Sequence, residues 1–176
     1  GEIVSMPETE RAIRTALQSA QKLANSRVDH VIACISGGSP RSYGLEGTVD
    51  IKTGIVDDND IADVLGSCGI PAYGSDREVL HAQPVNFSLD HRTGLSDPRG
   101  QIGKKLSVDM HMLTVKEKTI HDLAYCLKRC DLELAGVASA SYASALSSLV
   151  EDEKELGAAC IDPVSYTHLT LPTMDS

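Results

Sequence analysis

The chain of 176 residues is long enough for one ordinary domain or for two small domains packed together. Hydrophobic residues make up 41% of it but aromatic residues only 3%, so its core must consist mainly of Val, Ile, Leu and Ala. The formal net charge of −9 argues against general nucleic-acid binding, which depends on neutralising phosphates with Lys and Arg.

Apolar stretches and cysteine spacing indicate a cytoplasmic chain. No apolar run approaches the ~20 residues that span a bilayer, and no charged-then-apolar leader opens the chain, so we expect no direct membrane insertion. The cysteines are far apart and form no CxxC pair, which favours reduced, buried thiols over disulfides. The five are Cys34, Cys68, Cys126, Cys130 and Cys160.

The first 36 residues predict a helix followed by a strand. Ser5, Pro7 and Glu8 form a helix-start pattern, and apolar residues then recur at helical spacing to about Asn25. Residues 28–35 are mostly β-branched and apolar, which predicts a buried strand. The sequence Ser-Gly-Gly-Ser that follows could be a phosphate loop, but it lacks a Lys at the required spacing, which favours a structural turn.

The segment 37–115 has a different pattern. A short strand at 47–51 precedes a helix that begins at the acidic residues 57–60. Apolar residues alternate with polar ones in two further strands, 79–90 and 106–112. Pro84 indicates an edge or a bulge in the first of these, and residues 91–103 are interpreted as a turn-rich loop. The order strand, helix, strand, strand predicts a small α+β module.

After residue 115 the α/β pattern returns. A helix at 117–130 precedes a strand at 132–138, and a short helix at 141–150 precedes a second buried strand at 156–161. The acidic run 151–155 is interpreted as a solvated loop. The fold class is therefore α/β with an inserted α+β module. Residues 163–176 do not continue the pattern, and we interpret them as a non-native tail.

Candidate active-site residues are few. No two of the six histidines lie at ligand spacing with a carboxylate on one helix face, so we predict no metal site and no catalytic residue. Cys126 and Cys130 share a helix face and are interpreted as core residues. Asp162 ends the predicted strand 156–161, where α/β folds place ligand-contacting groups; a strand-end cap is the open alternative.

Charged residues in the predicted loop 91–103 form a candidate protein-interaction site. Turn-rich loops on a rigid scaffold often carry function, although a solvated hairpin connection is an equally good reading. The charged residues are His91, Arg92, Asp97 and Arg99.

Several ordered segments resemble the FtsA family of actin-like bacterial cell-division proteins. Residues 79–90, VLHAQPVNFSLD, are similar to the family's VLH-x-x-P-x-x-(aromatic)-x-x-D strand, and residues 94–100 are similar to its G-(I/L)-x-x-P-x-G loop. Weaker similarity covers residues 36–49 and 138–162. The resemblance implies a partial actin-like, ribonuclease H-like fold that carries an SHS2 subdomain, which has the order strand, helix, strand, strand.

The resemblance also implies domain boundaries. Residues 1–36 and 116–155 correspond to the first actin-like subdomain, and 37–115 to the inserted SHS2-type subdomain. Residues 156–162 correspond to the first strand of the second actin-like subdomain.

By the same resemblance, the chain is a cell-division scaffold fragment and not an enzyme. It would bind other division proteins through residues 37–115 and associate with further FtsA copies, while FtsZ contacts only subdomains outside this sequence. The parent would lie at the cytoplasmic face of the membrane at the division site. ATP and magnesium are expected for the full-length parent but no cofactor here, because Pro163 to Tyr166 replace a Gly-rich phosphate loop and leave Asp162 as a remnant.

Two alternatives remain at this point. The parent could be an actin-like ATPase whose nucleotide site is completed by sequence outside these 176 residues. It could instead be a homologue of the pilus-assembly actin-like protein PilM, which has a different partner.

Overall fold

The computed structural model describes residues 3–161. Predictions for Asp162 and for the tail 163–176 lie outside the described residues. The elements in chain order are α1 (Met6–Ala24), β1 (His30–Ile35), β2 (Arg41–Asp50), α2 (Asp58–Gly66), β3 (Arg77–Leu89), β4 (Arg92–Leu95), β5 (Lys105–Lys116), α3 (Glu117–Lys128), β6 (Glu133–Ser139), α4 (Ala140–Ser148) and α5 (Glu151–Leu156).

The chain divides into two compact units. The frame unit contains the described residues up to Gly38 and those from Lys118 onward, and the insert unit is Ser39–Glu117. Each unit has its own sheet: β1 and β6 pair in parallel in the frame unit, and four antiparallel strands pair in the insert unit in the order β2-β5-β3-β4.

In the frame unit, helices α1 and α3 pack on one face of the β1–β6 sheet. The predicted helix at the N-terminus is confirmed, with Ser5 as its N-cap in extended conformation. The Ser5 side chain makes no capping bond; the Thr9 hydroxyl instead donates to the Ser5 carbonyl at 2.9 Å. The core consists of Leu127, Cys130 and Leu132 with Ile13, Leu17, Val28, Val31, Leu123 and Leu134 packed around them.

The strand predicted at 28–35 is present as β1, but its predicted burial is wrong, and a second strand prediction fails altogether. The strand β1 is not buried: its residues alternate between exposed and half-buried, and Ile32 is 73% exposed, whereas Val31 packs against the core of the unit. The predicted strand at 156–161 is absent. The acidic run before it forms the short helix α5, where Glu153 accepts a hydrogen bond from the Val150 N–H at 3.1 Å and acidic side chains favour the helix N-terminus. Ile161 is 84% exposed.

In the insert unit, α2 packs on one face of the sheet. The predicted alternation in β5 is confirmed, since Leu106 and Val108 are fully buried while Asp109, the next residue along the strand, is exposed. The core they join contains Ile51, Val56, Ile61, Val64, Phe87 and Leu89. The residues that alternate with Leu106 and Val108 along β5, Ser107 and Asp109, lie on the opposite face of the sheet.

Three details of the insert unit differ from the sequence prediction. The strand β2 begins at Arg41, six residues before the predicted start, and a short strand, β4, lies inside the predicted loop. The bulge predicted at Pro84 is confirmed by a register shift between Pro84 and Asn86. That shift interrupts the predicted alternation of apolar and polar residues, so the apolar side chain of Val85 is 65% exposed.

The helix α2 starts with a capping box. The Asp57 carboxylate accepts the N–H groups of Asn59 and Asp60 at 2.8 and 3.0 Å, and the Asp60 carboxylate accepts the N–H of Asp57 at 3.0 Å. These bonds satisfy helix donors that would otherwise lack partners and fix where the helix begins.

A buried arginine connects three segments of the insert unit. Arg77 is only 6% exposed, and its guanidinium donates to the Thr114 hydroxyl at 2.9 Å, the Thr114 carbonyl at 2.9 Å and the Ser39 carbonyl at 2.6 Å. A buried charge must be hydrogen-bonded to be tolerated. Arg77 therefore holds the start of the unit against β3 and β5.

The close approach of α2 to β2 at Gly47 leads to a stability prediction. A Cβ at Gly47 would lie 2.4 Å from the Val64 carbonyl oxygen and 2.7 Å from the Cys68 sulfur, so Gly47→Ala must push the helix away. We expect it to lower the free energy of unfolding by about 1–3 kcal/mol, measured by urea denaturation. Gly44→Ala on the same strand is the control, because its Cβ would meet nothing within 4 Å. Equal losses in both variants would contradict this account.

Candidate protein-interaction surface

The turn between β3 and β4 is attached to the start of β5 by one carboxylate. Asp90 has a φ of 55° and accepts the N–H groups of Lys104 and Lys105 at 3.1 and 3.0 Å. Hydrogen bonds to the ionised form, first from Lys104 and then from Lys105, lower the pKa of Asp90 below its ordinary value of 3.8. The exposed hairpin that carries His91 and Arg92 therefore has a defined position.

Arg92 and His91 lie together at this hairpin. Arg92 opens β4, and its guanidinium donates to the Ile102 carbonyl at 3.0 Å, while His91 is exposed in the turn. The arginine thus lies across the segment that leads into β5.

Arg99 and Asp97 form a second group beside the start of α2. The Arg99 guanidinium contacts Asp58 at 2.7 Å and Asp97 at 3.0 Å, and the Asp97 carboxylate also accepts the Arg99 N–H at 3.1 Å. Bonds to Asp58 and Asp97 raise the pKa of Arg99, and the Arg99 N–H lowers that of Asp97. The structure therefore brings Asp97 and Arg99 together with Asp58, a partner that the sequence reasoning missed.

An exposed apolar pair lies on the same segment. Ile55 and Ile102 form an antiparallel bridge, and they are 51% and 76% exposed. Sequence reasoning missed both. No local pattern in the sequence marks either isoleucine as exposed.

We call residues 90–105, with Ile55 and Asp58, the hairpin surface. It combines apolar side chains with fixed charges on a braced loop, the mixture that protein-binding surfaces present. The four residues predicted from sequence all belong to it: His91 and Arg92 on the hairpin, Asp97 and Arg99 near α2.

The buried thiols lie elsewhere. Cys126 and Cys130 are buried as predicted, and burial raises the pKa of the Cys126 thiol, as expected of a core residue. Cys68 is half-buried. The prediction is wrong for Cys34 and Cys160, which are exposed.

No helix within residues 3–161 has both the length and the apolar character needed to cross a membrane.

The insert unit defines a class of protein. Residues 37–114 match the family described as the SHS2 domain inserted in FTSA. The chain is 36% identical over 162 residues to the cell division protein FtsA of Rhizobium meliloti (strain 1021), an alignment that covers 92% of this chain and 37% of the relative. It is 32% identical to FtsA of Pseudomonas aeruginosa and 24% identical to FtsA of Escherichia coli (strain K12), each over 92% of this chain and 39% of the relative.

The chain belongs to the FtsA family of cell division proteins and includes its SHS2 domain. It spans less than two fifths of the length of these relatives.

The bonded carboxylate at the hairpin leads to a prediction about acid stability. Because the pKa of Asp90 is lowered on folding, its contribution to stability is present above pH 3.8 and is lost as the pH falls through the lower, folded-state value. Asp90→Asn should therefore make the free energy of unfolding fall less steeply between about pH 5 and about pH 2. Urea denaturation at each pH measures this.

The control for this prediction is Asp63→Asn on the exposed side of α2. Among the described residues, no backbone N–H donates to its carboxylate, so this variant should keep the steeper fall of the parent. Identical pH profiles for the Asp90 variant and the parent would contradict the assigned role of Asp90.

Proposed function

We propose that this chain acts as a protein-interaction scaffold in bacterial cell division and catalyses no reaction. The observation that carries the proposal is the SHS2 match over residues 37–114 together with the hairpin surface on the same unit. The frame unit then corresponds to part of an actin-like subdomain.

The hairpin surface supports binding to other division proteins. It exposes the apolar pair Ile55 and Ile102 beside Arg92, a residue type that is enriched at binding hot spots. The fixed positions of Asp90 and Arg99 reduce the conformational entropy lost when a partner binds.

The proposed assembly has further parts. A second copy of the chain is a partner, and FtsZ and the membrane are reached through subdomains outside these 176 residues. The parent works at the cytoplasmic face of the cell membrane at the division site, with ATP and magnesium as its cofactors.

Charge reversal on the hairpin tests this function. Arg92→Glu should weaken the binding of the full chain to a cytoplasmic segment of a division protein by at least about tenfold, equivalent to about 1.4 kcal/mol. A panel of such purified segments, titrated by calorimetry, provides the measurement. Lys22→Glu, the same reversal on the exposed side of α1, is the control and should leave binding unchanged. If no segment binds, or if both variants bind as the parent does, the hairpin surface has no such role.

Nucleotide binding separates the scaffold from the ATPase alternative. Gly-rich turns hold phosphates because their N–H groups point at the anion and no side chain intervenes. In the sequence, Pro163 has no N–H group and residues 164–166 all carry side chains. We therefore expect no saturable heat when Mg-ATP is titrated into the chain. A dissociation constant near 1 μM, about −8 kcal/mol, would favour an ATPase.

A further inference from the structure

The sheet of the insert unit has a second face, opposite the one that α2 covers. Leu106 and Val108 of β5 are buried on the α2 side, so Asp109 and His111, which alternate with them along the strand, lie on the other side. Both of these polar residues are exposed. We call this side of the sheet, with the residues of β2 and β3 that pair with Asp109 and His111, the open face.

Strand register places two histidines next to each other on the open face. Gln83 of β3 pairs with His111 of β5. His81, two residues earlier on β3, pairs with Leu113 and is therefore the diagonal neighbour of His111. The two register shifts of β3 lie outside this stretch. Diagonal neighbours have Cα atoms roughly 7–8 Å apart, and ring side chains can span that distance. The two imidazoles can therefore reach one ion between them.

His81 is in the protonation state that metal binding requires. Burial of its ring lowers the pKa of His81 below the ordinary value of 6.5, and the charge of His111 lowers it further. An imidazole binds a metal through the lone pair of an unprotonated nitrogen. The lowered pKa therefore leaves His81 able to bind an ion at neutral pH.

Two carboxylates lie beside the histidines. Asp109 is the next residue after His111 on the same face of β5, and Glu46 of β2 pairs directly with Asp109. Both are exposed, and within residues 3–161 neither forms an ion pair. Like charges directly opposite each other destabilise a sheet. A cation bound beside them would relieve that repulsion.

Gly44 leaves room for the other ligands of such an ion. It pairs with His111 on the β2 side, and a Cβ at this position would meet nothing within 4 Å among the described residues. Zinc prefers a tetrahedral set of ligands, so two imidazoles leave positions for water or for an adjacent carboxylate. The space beside His111 can hold them.

We propose that the open face binds a divalent transition-metal ion with the ligand preference of zinc between the imidazoles of His81 and His111. Asp109 and Glu46 attract the ion and balance its charge. Imidazole suits zinc, nickel and copper, whereas magnesium prefers oxygen ligands. The sequence prediction of no metal site considered histidines on one helix face, and this pair is formed by two strands instead.

The metal site goes beyond the proposed scaffold function and does not depend on it. It uses none of the residues of the hairpin surface. Arg92→Glu should therefore leave metal binding unchanged, and loss of the metal site would not bear on the binding of division proteins.

Calorimetry with Zn²⁺ tests the site in the full chain with Cys34 and Cys160 replaced by Ser, because exposed thiols also bind zinc. Zn²⁺ should bind saturably, and His111→Asn should weaken that binding by at least about tenfold. His111 is exposed, so the variant should keep the circular dichroism spectrum of the parent. Mg²⁺ should not compete with Zn²⁺ at this site.

The matched control for calorimetry is His30→Asn in the frame unit. The exposed His30 imidazole lies 3.2 Å from the Glu133 carboxylate rather than beside a second histidine, so this variant should bind Zn²⁺ as the parent does. Absence of Zn²⁺ binding to the parent, or equal affinity in the His111 variant, would overturn the proposal.

Histidine ring signals in NMR spectra of the parent identify the ligands without a variant. On addition of Zn²⁺, the ring signals of His81 and His111 should change together, and those of His30 and His91 should stay where they are. If the signals of His81 and His111 are unchanged at saturating Zn²⁺, the ion binds elsewhere and the assignment is wrong.

Glu46→Gln tests the part played by the carboxylates. It removes the repulsion opposite Asp109, so the free energy of unfolding without metal, measured by urea denaturation, should rise. Its affinity for Zn²⁺ should fall several-fold, because the ion loses a neighbouring negative charge. Opposite shifts in stability and affinity are not expected of a residue with a merely structural role. A variant with the zinc affinity of the parent would overturn the role of Glu46 in the site.

Discussion

The insert unit depends on the close approach of helix α2 to strand β2. At Gly47 the strand lies so near the helix that a single Cβ would enter the space of the Val64 carbonyl and the Ser67 hydroxyl. This proximity lets Val64 and Ile61 reach the apolar face of the sheet and bury it. It also brings Ser67 within hydrogen-bonding distance of the Thr48 N–H. One missing side chain thus determines how closely the helix covers the core.

Ionised carboxylates position the loops around this core. Asp57 starts α2, Asp90 attaches the β3–β4 turn to β5, and Asp97 bonds the backbone of its own loop; for each, backbone N–H groups stabilise the charged form. All three are exposed to solvent. The net negative charge of the chain is therefore partly structural, because a neutral residue could not hold these turns equally well.

The hairpin surface presents side chains, Arg92 with Ile55 and Ile102, on a loop whose position is fixed by hydrogen bonds. Side chains of this kind can discriminate between partners by shape and charge.

Local patterns determined much of this structure. Alternation in β5, the proline at the β3 bulge, and the acidic start of α2 are short-range signals, and the elements they predicted are present. The resemblance of residues 79–90 was enough to indicate the family. The sequence also identified Arg92 and Arg99 as charged residues in a turn-rich segment, since that information is local too.

Tertiary structure decided the rest, because burial and partners depend on what lies opposite a residue. Apolar residues at 28–35 indicate a strand, but only the packing shows that Ile32 in it is exposed. Apolar residues at 156–161 indicate a strand as well, yet a strand needs a neighbour, and among the described residues none pairs there. The contact of Arg99 with Asp58, 41 residues away, and the position of His81 beside His111 follow from the register of distant strands, which no local pattern contains.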